Sequence, residues 1–153
     1  MKIYLDVCCL CRPFDNQAMN RIHLESEAIK EILLRCTTCD WTLVTSDAIR
    51  YEISRIPDMT LKRKVEQLAA IAIEHVHITK KISERYFSFV GLGFDSADAL
   101  HLACAESIGA IMLTTDDALI KIIKSNKDKI SLKVINPVEW LMEESRYADQ
   151  NIE

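Results

Sequence analysis

The chain reads as an α/β protein of three layers, α/β/α, with helices on both faces of a central parallel sheet of about five strands. Short apolar runs of strand length alternate with longer segments whose apolar residues recur at helical spacing. The strand runs are apolar on both sides, as strands covered by helices on both faces must be. Acidic residues fall where several of these runs end.

Ile3-Tyr4-Leu5 is the first strand-like run, and residues 20–36 follow with Ile22, Ile29, Ile32 and Leu33 at helical spacing. Trp41 to Thr45 is β-branched and aromatic enough for a second strand. Ser46 is a fitting N-cap for a helix through Arg55, which Pro57 stops. The spacing of Leu61, Val65, Leu68 and Ile71 predicts a helix over about 59–74. Residues 75–78 suit a third strand, with Thr79 capping a helix near 80–90 that ends at Gly91 and Gly93. Asp95 or Ser96 caps a helix through Ser107, closed by Gly109. Residues 111–114 form a fourth strand, 116–125 a helix and 132–135 a fifth strand, and Pro137 enters the first turn of a last helix. Residues 1–147 read as one domain and 148–153 as a polar tail that frays.

Composition narrows the function classes. With 49% hydrophobic and 27% charged residues, the 153-residue chain has a globular balance and no membrane-length apolar run. The start, MKIYLDVCCLCRPFD, puts an Asp and an Arg where a signal peptide would be apolar, so a cytoplasmic protein is expected. Six cysteines then read as reduced thiols. A net charge of -4 argues against polycation-style nucleic-acid binding but not against a nucleic-acid enzyme with an acidic site. Arg50, Arg55, Lys62, Arg63, Lys64, Lys80, Lys81 and Arg85 are candidates for a phosphate-facing rim.

The chemistry rests on four acids. Asp6 ends the first strand, Glu52 lies in the helix after the second, Asp98 opens the helix of DSADALHLA, and Asp116 follows the fourth strand. The carboxyl edge of an open parallel sheet is where such folds build their sites. Like charges gathered there cannot all stay ionised without a cation, which points to metal-dependent hydrolysis. Each acid also has a plainer reading: Asp98 and Asp116 suit helix starts, and Glu52 suits a solvent-facing helix. His101, one turn after Asp98, is in reach of a cation but fits a satisfied core or rim hydrogen bond better. Cys36-Thr-Thr-Cys39 with Cys8, Cys9 and Cys11 raises a zinc or redox module, yet the pair closes a helix where a thioredoxin-like motif would open one. Gly91-Leu92-Gly93 lacks the preceding strand of a dinucleotide fingerprint.

At YLD, YEI, DALHLA and TTD, in that order, the chain resembles the PIN-domain ribonucleases, a family that includes VapC-type toxins. The resemblance implies that Asp6, Glu52, Asp98 and Asp116 form the acidic pocket holding Mg²⁺ or Mn²⁺, with Thr114 supporting it through its hydroxyl. It also implies an endoribonuclease, a toxin masked by an antitoxin protein, acting on RNA and paired as a homodimer. Asp95 and Asp117 stand ready as substitutes for their neighbours. Val7-Cys8 depart from the family's usual Thr-Asn or Ser-Ser after the first Asp, whereas the paired cysteines resemble one of its branches. A PIN-like module that binds RNA or protein without cutting is the alternative.

Overall fold

The computed structural model describes residues 1–38 and 40–152. Its centre is a parallel sheet of five strands among the described residues: β1 (Lys2–Leu5), β2 (Thr42–Ser46), β3 (Glu74–Val76), β4 (Ile111–Leu113) and β5 (Val134–Ile135). Their spatial order is β3-β2-β1-β4-β5, so the chain winds outward from β1 in one direction and then returns to its other side. The crevice between β1 and β4, where the winding reverses, is the switch point at which open α/β sheets bind ligands.

Ile3, Tyr4 and Leu5 are all almost completely buried, which a strand achieves only when both faces are covered. Helices provide the cover: α1 (Val7–Cys11), α2 (Asn20–Thr37), α3 (Asp47–Ser54), α4 (Met59–Ala69), α5 (Lys80–Gly91), α6 (Ser96–Ser107), α7 (Asp117–Ser125) and α8 (Pro137–Gln150). Trp41 and the fully buried Trp140 lie with ring centroids 4.6 Å apart. The caps follow the sequence: Ser46, Asp58, Thr79, Asp95, Asp116 and Asn136 each accept from a first-turn N–H of the helix that follows.

Several boundaries differ from the expected ones. The helix expected to reach 74 stops at Ala69, because the Ile73 N–H already bonds to the Leu43 carbonyl and draws the chain into sheet pairing. Gly91 lies within α5, and Gly93, at φ 102°, makes the left-handed turn. Helix α1 and the 3₁₀ turn Arg12–Phe14 carry no strong local signal. They form because the Asp6 carbonyl accepts the Cys9 and Leu10 N–H groups while Val7, Cys9 and Leu10 bury. Helix α8 continues through Gln150, into the segment read as a fraying tail.

Candidate active site

Asp6 leaves β1 at the switch point, tied to β4 by its own N–H on the Leu113 carbonyl at 3.1 Å. Asp6 is only 8% exposed, and its carboxylate accepts a 3.1 Å hydrogen bond from Thr114 Oγ1. Thr114 is itself fully buried and accepts the Asp116 N–H at 3.2 Å, so a single hydroxyl orients the carboxylate at the end of β1 and the backbone at the start of α7. The Cys8 Sγ also reaches Thr114 Oγ1, at 3.5 Å. Burial raises the Asp6 pKa above the ordinary carboxylate range and the Glu52 charge adds to it, against the pull of His101 and Thr114.

Helix α3 brings Glu52 to the same place. Ligand atoms of Asp6, Glu52 and His101 all lie within 4.8 Å of one another. His101 reaches in from α6, with Nε2 2.7 Å from the Glu52 carboxylate and Nδ1 2.7 Å from the Tyr4 hydroxyl. Tyr4 in turn lies 2.7 Å from Ser46 Oγ, the capping oxygen of α3. Burial pushes the His101 pKa down, but the hydrogen bond to Glu52 and the charges of Asp6, Glu52 and Asp98 carry it above its ordinary value. With both nitrogens taken, the imidazole serves as a brace in this arrangement.

Asp98 and Asp116 stand outside this tight group but within reach of its charge. The Asp98 carboxyl is raised to about 7, first by burial, then by Asp95, Asp6 and Asp116. Asp95, not Asp98, caps α6, through Oδ1 on the Asp98 N–H at 2.8 Å. Asp116 does cap α7, on the Leu119 N–H at 3.1 Å, so its capping role and its place beside the pocket coexist. Asp117 is not free to replace it: Arg21 grips both its oxygens at 2.7 and 2.8 Å and also the Thr115 carbonyl. Arg21 and Arg12 further pair with Glu25, which is 2% exposed and accepts from Asn136.

Tyr4 and the Arg21–Glu25 brace escaped the sequence reading, as did the contact that Ser46, expected only as the cap of α3, makes with the Tyr4 hydroxyl. Nothing local marks them, although the Asp98-x-x-His101 spacing could have promoted His101. Arg85, expected on a phosphate-facing rim, instead binds Glu106 at 2.6 and 3.1 Å. The Cys36–Cys39 pair falls partly outside the described residues. Among the described residues, neither cluster with metal-ligand geometry contains a cysteine. Beside Glu52 and His101 opens a groove of about 600 Å³, lined in part by Tyr51, Arg55, Tyr86 and Phe87.

The family model described as PIN domain matches residues 3–124. No curated protein matches. Among solved structures, VapBC-1 from nontypeable Haemophilus influenzae is similar at TM-score 0.59 and 16% identity, over 90% of this chain and 98% of that one. FitAcB from Neisseria gonorrhoeae is similar at TM-score 0.58 and 15% identity, over 88% and 97%. VapBC2 from Rickettsia felis, bound to a DNA fragment from their promoter, is similar at 0.55 and 16%, over 89% and 98%. At such identities the likeness is one of fold.

Proposed function

This chain belongs to the PIN-domain family, and from that premise we propose that it is a metal-dependent endoribonuclease whose pocket of Asp6, Glu52, Asp98 and Asp116 holds Mg²⁺ or Mn²⁺. PIN domains are generally nucleases, and nucleases of this kind use divalent metals. The observation that carries the reading is the approach of Asp6 and Glu52 at the switch point, with Asp98 under the repulsion of its acidic neighbours. Carboxylate oxygens suit hard, oxygen-seeking ions, and the one imidazole among them already has both nitrogens hydrogen-bonded. The donor set therefore fits Mg²⁺ or Mn²⁺.

Bound there, the ion would offset the charge of the scissile phosphate and lower the pKa of a water. The protein's own groups would do the positioning. Thr114 holds the Asp6 carboxylate, His101 holds Glu52, and Asp98 or Asp116 orients the attacking water. That water adds to phosphorus as the bond to the 3′ oxygen breaks, leaving a 5′-phosphate and a 3′-hydroxyl. In the adjacent groove, Tyr51 and Phe87 are 64% and 70% exposed, and the Arg55 guanidinium lies 5.8 Å from the Tyr51 ring centre. Exposed rings with a cation beside an anionic site suit stacking of unpaired bases.

In the cell we place the protein in the cytoplasm as a toxin masked by an antitoxin, a reading supported by the resemblance to VapC-type toxins and by similarity to VapBC structures. No helix among the described residues is long and apolar enough to cross a membrane. We also propose that residues 1–147 act as one domain and pair as a homodimer; exposed Leu24, Leu34 and Met142 on α2 and α8 offer apolar surface for that contact. Light scattering showing a monomer at micromolar concentration would reject the dimer.

The deciding experiment is cleavage of a defined RNA by the purified chain with Mn²⁺, with chelator and as Asp98→Asn. Cleavage only by the native chain with Mn²⁺ supports the enzyme. RNA binding without metal-dependent cleavage leaves a binding module.

A further inference from the structure

A second cluster of metal-ligand type lies elsewhere on the carboxyl edge of the sheet and shares no residue with the acidic pocket. Asp47, His75 and His77 present ligand atoms within 4.8 Å of one another. His75 lies in edge strand β3 and His77 directly follows it. Period-two geometry sends both rings to the same side of the strand, where their centroids are 4.4 Å apart. Asp47 is the first residue of α3, after the neighbouring strand β2. Its Oδ1 sits between the imidazoles, 2.6 Å from His75 Nε2 and 3.4 Å from His77 Nδ1.

The surroundings have the form of a prepared ligand. The other Asp47 oxygen accepts the Ile78 N–H at 2.9 Å, which fixes the carboxylate from outside, as a second layer of hydrogen bonds does around metal ligands. His75 is mostly buried while His77 is 77% exposed, so one imidazole is anchored and the other can swing. Both line a cleft of about 550 Å³, which leaves room for water or a further ligand. Zinc bonds to nitrogen and oxygen of roughly 2.0–2.2 Å put tetrahedral ligands about 3.3 Å apart. The Asp47–His77 separation is already of that size, and the Asp47–His75 hydrogen bond would open as an ion replaces its proton.

We propose that Asp47, His75 and His77 bind a transition-metal ion of the zinc class, with a fourth position open to the cleft. Two imidazoles and one carboxylate favour borderline ions such as Zn²⁺ or Co²⁺ over Mg²⁺, so the pocket and this site sort different metals by ligand chemistry. The ion ties edge strand β3 to the start of the helix that carries Glu52.

The test is titration of the metal-stripped chain with Co²⁺, read by visible absorption, and with Zn²⁺, read by calorimetry. The native chain should bind one ion in the form that gives the intense visible bands of four-coordinate Co²⁺ without sulfur-to-metal charge transfer, whereas an oxygen-ligated Co²⁺ in the acidic pocket absorbs only weakly. His77→Ala, at a side chain that is 77% exposed, should lose that ion, as should His75→Ala. Asp6→Asn should retain it. Circular dichroism checks the fold of each variant. Binding by His77→Ala equal to the native chain, loss of the ion in Asp6→Asn, a thiolate charge-transfer band, or no Zn²⁺ binding at micromolar ion would each overturn the site. None of these readouts depends on RNA cleavage.

Discussion

His101 holds Glu52 at 2.7 Å through Nε2 while its other nitrogen rests on the Tyr4 hydroxyl, so a helix-borne carboxylate is braced by a residue rooted in the central strand. Removing the ring should free Glu52 and leave a cavity beside Tyr4. His101→Ala is expected to destabilise the protein by about 2–3 kcal/mol and to weaken Mn²⁺ binding on the order of 10–100-fold. Thermal melts and a Mn²⁺ titration measure the two effects, and His101→Gln, which keeps a donor for Glu52, should recover part of the second. Unchanged Mn²⁺ affinity in His101→Ala would deny it a positioning role.

Asp98→Asn should abolish most metal-dependent cleavage and stabilise the metal-free protein near neutral pH. The native carboxyl is protonated up to about pH 7 in the folded state, against an unfolded value near 3.8. From about pH 4 to 7 the folded state therefore binds the extra proton, and stability falls as pH rises. Because the group is partly exposed, the gain in the variant is about 1 kcal/mol after allowance for solvent screening. Retention of native cleavage by this variant, with copurifying nuclease excluded, would leave Asp98 as a helix residue only.

The pH profile of the native protein should slope the same way for a second reason. His101 titrates above its ordinary value when folded, so its bridge to Glu52 contributes fully below about pH 6.5 and is lost as pH rises through the raised value. Metal-free protein should thus melt lower at about pH 8 than at about pH 6, and Mn²⁺ should narrow the difference by compensating the carboxylates. A flat profile without metal would contradict both assignments.

Glu25 is the buried hub of a brace that reaches the Asp116 loop through Arg21. Glu25→Ala leaves Arg12 short of its buried partner and is expected to cost about 3–5 kcal/mol, read by denaturant unfolding. Arg21→Ala should cost less, since its pairs are more exposed, but should loosen Asp116 and reduce cleavage. Equal stability of Glu25→Ala and native protein would show that the network is ornamental.

Cys36→Ser should leave RNA cleavage unchanged, because Cys36 is a buried thiol of α2 and no cysteine enters either metal-type cluster among the described residues. Cleavage assays beside the native chain check this directly.

The strands, the longer helices and their caps were legible in sequence, because apolar period and capping chemistry act within a few residues. Ser46 and Thr79 cap where their side chains allow it, whatever surrounds them. Asp6, Asp98 and Asp116 stood out as candidates because strand ends and helix starts in a parallel sheet share one edge, whereas Glu52, in the last turn of α3, meets Asp6 only through the fold. What lies between residues far apart in the chain was decided only in three dimensions. The order β3-β2-β1-β4-β5 puts Asp6 beside Thr114, joins His101 to both Tyr4 and Glu52, and neutralises Asp117 with Arg21. Helix α1 forms for the same reason: its cysteines and valine have little helical preference of their own, and burial against the sheet supplies what local propensity lacks.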